Sequence, residues 1–311
     1  MIKRTLYFGN PAYLSVKLAQ LEIRLPEVVK NDTLSRVVKD DCVKRVPIED
    51  IGVVVLDHKQ ITITQGTLGA LLGNNVAVIT CDEQRMPAGL MLPLAGNTTQ
   101  SERFRYQIEA SLPLKKQLWQ QTVQMKIYNQ SRVLLNCRNM RCGNMEAWTK
   151  QVKSGDSDNL EGRAAAFYWQ NLFGGIDGFR RDREGVPPNN LLNYGYAILR
   201  AVVARSLVGS GLLPTLGIHH HNRYNAYCLA DDIMEPYRPF VDKLVAEIVD
   251  SGMDITNLTT EIKGKLLTIP VLDVVINNKR SPLMIAMATT TASLYKCYSG
   301  ELRKIAYPVM E

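Results

Sequence analysis

Three histidines stand side by side in residues 216–239, immediately upstream of a group of acidic residues. This stretch reads LGIHHHNRYNAYCLADDIMEPYRP, and it holds three of the four histidines in the sequence. Asp232 and Glu235 are three positions apart, so a helix would place both carboxylates on one face. Imidazole nitrogen and carboxylate oxygen together suit a divalent cation such as Mg²⁺ or Mn²⁺. The same pattern also fits a polar loop followed by an acidic helix face.

A further carboxylate, Glu161, opens a predicted helix over residues 160–173, which ends at a pair of glycines. The spacing from Asp158 to Glu161 fits a capping box, in which the glutamate supports the first helical turn. On the residues alone, this capping role is the favoured interpretation of Glu161.

The composition is typical of a soluble globular protein. The 311 residues are 46% hydrophobic and 22% charged, which allows one large domain or two ordinary ones. We find no apolar run long enough to span a bilayer and no signal-peptide core at the start. The six cysteines are scattered without a CxxC pair. Cysteines without paired spacing predict a reducing, cytoplasmic location.

The net charge of +7 is concentrated in one segment. Residues 96–150 contain nine lysines and arginines against three acids, a local excess of +6. Aromatic residues are interleaved with the basic ones, and such a helical face suits a phosphate backbone. A solvated helix surface is the alternative explanation of the same charges.

The hydrophobic period changes along the chain and predicts an α+β protein. Residues 1–85 read as a small β-sandwich-like domain, residues 86–99 as a linker rich in proline and glycine, and residues 100–311 as a larger all-α domain. Strands are predicted at 5–8, 13–24, 51–56, 61–64 and 76–80, with a hairpin in 26–45 and a short helix at 67–72. Helices are predicted at 99–110, 112–136, 160–173, 190–208, 237–249, 257–267 and 283–302, with a flexible linker at 153–159.

Three motifs in this order, LEGRAAAFYW, NNLLNYGYAI and LGIHHHNRYNAYCLADDIMEPYRP, are similar to those of a known family. The chain resembles the CRISPR-associated adaptation integrases, the larger of the two universal spacer-acquisition proteins. The resemblance covers nearly the whole chain, and the GIHHHN loop and MEPYRP ending look most like the type II form. It implies a β-strand N-terminal domain followed by a larger helical domain.

The resemblance also implies a site. The family's E-G-x-A-A glutamate matches Glu161, which replaces the capping interpretation, and its last acidic ligand matches Glu235. His220 aligns best with the family's histidine, although His219 and His221 remain open as alternatives. These residues are expected to hold Mg²⁺ or Mn²⁺, with Asp232 in a supporting part.

The implied activity is insertion of short foreign DNA into a CRISPR array, an antiviral function that proceeds by transesterification from a 3′-hydroxyl. Because guanidinium matches phosphate bidentately, candidate DNA contacts are Arg163, Arg223 and Arg238. The alternatives are a metal-dependent nuclease acting on branched or single-stranded DNA and a non-catalytic DNA-binding scaffold. Expected partners are the prespacer duplex, the repeat DNA, a second copy through the N-terminal domain, and a small dimeric adaptation protein that completes a heterohexamer.

Overall fold

The structure is a computed structural model that describes residues 3–311, and the chain divides into two compact units. The first unit ends at Leu94 and the second begins at Ala95. This division falls inside the stretch assigned to a linker, and the stretch also contains a strand at 87–91. Within the described residues, no helix is both long and apolar enough to cross a membrane.

The first unit contains two four-stranded sheets that enclose one apolar core. The first sheet has the order β1-β5-β7-β8 and the second β4-β3-β2-β6. Their strands are β1 (Arg4–Phe8), β2 (Ala12–Lys17), β3 (Gln20–Arg24), β4 (Lys44–Pro47), β5 (Ile51–Leu56), β6 (Ile61–Ile63), β7 (Ala77–Cys81) and β8 (Pro87–Met91). Apolar side chains from both sheets, including Leu14, Leu21 and Val54, pack together. The prediction of a small β-sandwich-like unit in a mixed α+β protein is therefore confirmed.

Two local predictions in this unit are wrong. The predicted strand at 13–24 is a hairpin, because Leu18 and Ala19 both adopt positive φ angles, of 49° and 58°, and turn the chain. Neither residue is a usual turn former, so the sequence carried no signal for this turn. The predicted hairpin in 26–45 is instead two short helices before β4, α1 (Pro26–Val29) and α2 (Arg36–Asp41). The Ser35 hydroxyl caps α2 by accepting from the Val38 amide.

The second unit is mainly helical. After α3 (Gln65–Gly73) of the first unit, its helices are α4 (Gln100–Glu109), α5 (Leu112–Arg138), α6 (Gly143–Gln151), α7 (Leu160–Phe173), α8 (Asn189–Gly209), α9 (Cys228–Met234), α10 (Arg238–Asp250), α11 (Thr260–Leu266) and α12 (Leu283–Tyr298). The expectation of an all-α unit needs one correction, since β9 (Asp273–Ile276) and β10 (Lys279–Pro282) form an antiparallel hairpin.

Two long buried helices organise this unit. Most side chains of α8 are buried, as its apolar sequence predicts, and α8 packs against α9, α10 and α12. Helix α5 packs against α7 and against the 3-10 turn Glu235–Tyr237. Helix α5 is therefore the element that contacts both the helix that carries Glu161 and the turn that carries Glu235.

Candidate active site

One face of α5 lies beneath the predicted site. Trp119, Thr122, Lys126 and Asn129 are buried and are spaced by three and four residues, so they share a helix face. Asn129 donates a hydrogen bond to the carbonyl of Pro236 at 2.8 Å, which fixes the turn that follows α9. The polar groups on this face therefore point into the unit rather than to solvent.

Lys126 contacts both of the glutamates that the family motifs point to. Its Nζ lies 2.6 Å from Oε1 of Glu161 and 2.6 Å from Oε2 of Glu235. Arg238 approaches the other oxygen of Glu235, with its Nε 3.0 Å from Oε1. Glu161 and Glu235, 74 positions apart in sequence, are thus brought to one ammonium group. Within residues 3–311, no three His, Cys, Asp or Glu side chains are close enough together to hold a metal ion.

The opposite charges of this cluster keep one another ionised. Burial by itself would raise the pKa of Glu235, but Arg238 and Lys126 outweigh burial and lower that pKa. Burial would likewise lower the pKa of Lys126, but the charges of Glu235 and Glu161 outweigh it and raise that pKa. Glu235 and Lys126 therefore form a buried ion pair at neutral pH.

Glu161 reaches the cluster because other residues cap its helix. The Asp156 carboxylate accepts the amides of Leu160 and Glu161 at 2.9 and 3.0 Å, and the Asn159 side chain accepts the amide of Gly162. Asp158 instead pairs with Lys153. The capping-box interpretation of Glu161 is therefore wrong, and residues 153–159 contain a helix cap rather than only a linker. With the cap supplied by Asp156 and Asn159, the Glu161 side chain is left to contact Lys126.

Asp232 holds the loop between α8 and α9 that carries the three histidines, here called the histidine loop. Its fully buried carboxylate accepts the amides of Ile218 and His219 on Oδ2, at 2.7 and 3.0 Å, and the amide of His220 on Oδ1, at 3.2 Å. Oδ1 also lies 2.5 Å from Nδ1 of His220. A carboxylate only accepts, so Nδ1 donates and Nε2 is the ring nitrogen left to bind a ligand. A Cβ at Gly217 would lie 2.4 Å from the carbonyl of His220, so the loop requires glycine there.

The three histidines have different surroundings. The His219 ring stacks on Trp119, with ring centroids 4.1 Å apart and planes 2° from parallel. Burial against this partner lowers the pKa of His219. The hydrogen bond to Asp232 raises the pKa of His220, and the charges of Glu235 and Glu161 add to that effect. All three histidines are exposed, and of the three His220 alone has a ring nitrogen hydrogen-bonded to Asp232.

The three arginines selected as DNA contacts also differ. Arg163 is exposed on α7, with its guanidinium 5.4 Å from the ring centroid of Trp148. Arg223 is exposed on the histidine loop and lies over the Tyr224 ring. Arg238 is mostly enclosed, and besides Glu235 it contacts the face of Tyr196 at 4.7 Å. Two of the three are thus available at the surface, whereas Arg238 belongs to the carboxylate cluster.

The chain is related to proteins of known family. The sequence profile described as "CRISPR associated protein Cas1" matches residues 27–271. The chain belongs to the Cas1 family. It is 42% identical over 224 residues to the CRISPR-associated endonuclease Cas1 of Neisseria meningitidis serogroup C, covering 71% of this chain and 72% of that relative. The family predicted from the three motifs is therefore confirmed.

Solved structures show the same fold at low sequence identity. A casposase bound to integration product superposes with a TM-score of 0.75 at 21% identity, covering 98% of this chain and 92% of that one. A chain of a Cas6-RT-Cas1–Cas2 complex superposes with a TM-score of 0.70 at 20% identity, covering 97% of this chain and 35% of that one. At these identities the likeness establishes the Cas1 fold alone.

The residue pattern alone did not single out Lys126 and Trp119 of this Cas1 chain. Both belong to the segment 96–150 that was interpreted as a basic, aromatic face suited to DNA, yet both are buried. The basic residues of that segment are therefore not all free to contact DNA. Lys126 is buried, and Arg138 pairs with Asp250. The signal that could have separated these residues is their placement, with Thr122 and Asn129, on the buried stripe of α5.

Proposed function

We propose that this Cas1 protein is a metal-dependent DNA integrase that joins the 3′-hydroxyl of a short duplex to a target strand at a CRISPR repeat. The observation that carries the proposal is the pair of carboxylates, Glu161 and Glu235, gathered around one cation beside His220. The family of the chain and the casposase likeness both favour strand joining over simple binding.

The chemistry of the donor set suits a divalent cation, although Glu161, Glu235 and His220 must move closer together to bind one. Carboxylate oxygens are suitable ligands for both Mg²⁺ and Mn²⁺, and the one imidazole nitrogen shifts the preference toward Mn²⁺. The ammonium held between Glu161 and Glu235 supports this choice, because it is a cation at the position where the metal would bind. We propose Glu161, Glu235 and Nε2 of His220 as the ligands. A cation bound there would polarise the scissile phosphate and lower the pKa of an oxygen nucleophile.

The surrounding residues prepare the site for that chemistry. Asp232 keeps the proton on Nδ1 of His220, so that Nε2 stays available. Arg238 holds Glu235 ionised and in place. Arg163 and Arg223, at the surface, would contact DNA phosphates and align the end of the duplex, because guanidinium groups bind phosphate oxygens bidentately. We assign Arg238 to positioning Glu235 rather than to DNA.

The test is a joining assay that separates transesterification from hydrolysis. The protein is incubated with its small dimeric partner, Mn²⁺ or Mg²⁺, a labelled duplex and a supercoiled plasmid carrying the repeat. We expect joined product that requires the duplex 3′-hydroxyl and is absent with a 3′-dideoxy end. Cleavage that is indifferent to that hydroxyl would instead support the second candidate, a branched-DNA nuclease, which the name of the Neisseria relative favours. No metal-dependent reaction at all would leave only a binding role.

Variants assign the reaction to the site. Glu161→Gln and Glu235→Gln keep the side-chain shape and remove the charge, so each should abolish joining while DNA binding persists. Glu247→Gln is the matched control, because Glu247 is exposed and has only a long contact of 4.0 Å with Lys243. Normal joining by either active-site variant would refute the assignment.

We also propose that the protein forms a homodimer through its first unit, two dimers flanking the small partner. The support is a group of exposed apolar side chains on and next to α1 and α2, namely Leu25, Val29, Val37 and Val38. Light scattering should give a dimer at micromolar concentration, and Val37→Asp should shift it toward monomer. A wild-type monomer under these conditions would contradict the proposal.

A further inference from the structure

The Lys126 ammonium occupies the point at which the two site carboxylates converge. It is 2.6 Å from one oxygen of each, and its side chain is only 11% exposed. Glu161 comes from the start of α7 and Glu235 from the turn after α9. A lysine on the central helix α5 therefore bridges two groups proposed as metal ligands.

We propose that Lys126 is a built-in cation of the metal site, which holds the two carboxylates together in the free protein and must be displaced when a divalent metal binds. This inference rests on the proposed function, since it takes Glu161 and Glu235 as ligands. Lys126 is thus a positioning residue that acts through them.

Charge and distance both require the displacement. Glu161, Glu235, Lys126 and Arg238 together carry no net charge when all are ionised, so the cluster is already neutralised before metal arrives. An added divalent ion would lie close to the ammonium in a poorly solvated site, where like charges repel strongly. Metal–oxygen distances are about 2.1 Å, shorter than the ammonium contacts, so the ion would lie between the same oxygens. Lysine has a long flexible stem that allows its head group to move away.

The consequence is that Lys126 holds the two carboxylates together before metal arrives, and that the site binds the metal weakly until a negative group enters. Lys126 offsets part of the attraction that two carboxylates would otherwise exert on the metal. A DNA phosphate entering beside the metal would restore neutrality and give the released ammonium a new partner. Metal and DNA should therefore bind cooperatively, and the coupling must be reciprocal.

The experiment measures Mn²⁺ affinity directly, by electron paramagnetic resonance of free Mn²⁺, with and without a 3′-dideoxy duplex that cannot be joined. Wild-type protein should bind Mn²⁺ more tightly with the duplex than without it. Lys126→Met should bind Mn²⁺ about tenfold more tightly than wild type in the absence of DNA and lose most of the effect of the duplex. Lys126→Arg, which keeps the charge, should bind Mn²⁺ no more tightly than wild type.

Lys153→Met is the matched control, because Lys153 also pairs with a carboxylate, that of Asp158 at 2.7 Å, but is 67% exposed. It should leave Mn²⁺ affinity unchanged. An affinity of Lys126→Met equal to or weaker than that of wild type would overturn the inference about Lys126 without touching the proposed function. Absence of Mn²⁺ binding by wild type, with and without DNA, would instead overturn the proposed function.

Lys126→Met leaves the buried Glu235 and the partly buried Glu161 with one cation fewer and could fail to fold. The wild-type protein then decides the question through a crystal structure with Mn²⁺. We expect the anomalous peak of Mn²⁺ between Glu161 and Glu235, with the Lys126 ammonium no longer in contact with both. Manganese bound elsewhere while Lys126 still bridges the two glutamates would refute the displacement.

Discussion

Replacement of Asp232 by asparagine changes almost no volume but reverses part of the hydrogen bonding that holds the histidine loop. Each carboxylate oxygen of Asp232 accepts from two groups, Oδ2 from Ile218 and His219 and Oδ1 from the amide and ring of His220. Whichever way the asparagine amide is oriented, its NH₂ group replaces one of those oxygens and faces the two groups that donated hydrogen bonds to it. Hydrogen bonds to a charged acceptor contribute about 1.5–3 kcal/mol each, and water can recover part of the loss at the loop surface. We expect Asp232→Asn to lower the free energy of unfolding by about 3 kcal/mol.

The same substitution should disable His220 as a ligand. If the NH₂ group takes the place of Oδ1, it can donate to Nδ1 only when the ring proton has moved to Nε2, which then cannot bind metal. Loss of such a partner behind a metal ligand typically weakens metal binding about 10- to 100-fold. We therefore expect Asp232→Asn to lose Mn²⁺ affinity by that factor and to join DNA poorly even when folded.

The assay combines urea unfolding, Mn²⁺ titration and strand joining on the same preparations. Asp250→Asn is the control, because Asp250 is 48% exposed with one ion pair to Arg138, so its loss should cost less than about 1 kcal/mol. An Asp232→Asn protein with wild-type Mn²⁺ affinity and wild-type joining would refute the role given to Asp232.

Three further predictions follow from the geometry. His220→Ala should abolish joining. His219→Ala should retain joining and lose about 1 kcal/mol of stability, because its stack on Trp119 is removed. An inactive His219→Ala protein with an active His220→Ala protein would reverse the assignment of the ligand. Burial raises the pKa of Asp242 from 3.8 to about 7, so the folded protein binds that proton more tightly than the unfolded chain. Stability should therefore fall as pH rises from about 3.8 to about 7, and urea unfolding of Asp242→Asn should lack that fall. DNA affinity should fall with salt at a log–log slope of about −0.9 per phosphate contacted, and Arg163→Ala should make the slope shallower by about one contact, which filter binding at several salt concentrations would detect.

The sequence alone determined the class of the fold and the family, and it named the candidate acidic and histidine residues. The change of hydrophobic period separates a strand-rich part from a helical part, because side chains alternate in strands and recur every three or four residues in helices. The apolar length of α8 predicts its burial for the same reason. The three motifs were specific enough to identify the family, and they selected Glu161, His220 and Glu235 without any knowledge of distances.

Only the tertiary structure decided what those residues contact. Lys126, Glu161 and Glu235 come from three separate helical segments, and no local pattern reports that one ammonium lies between two distant carboxylates. The sequence assigned Lys126 to a basic surface because charge counts do not distinguish a solvated lysine from a buried one. The turn at Leu18 and Ala19, the cap supplied by Asp156, and the four contacts of Asp232 were likewise missed or left open. Each depends on the approach of backbone or side-chain groups that packing brings together, and that information lies in the arrangement of the helices and strands rather than in the order of the residues.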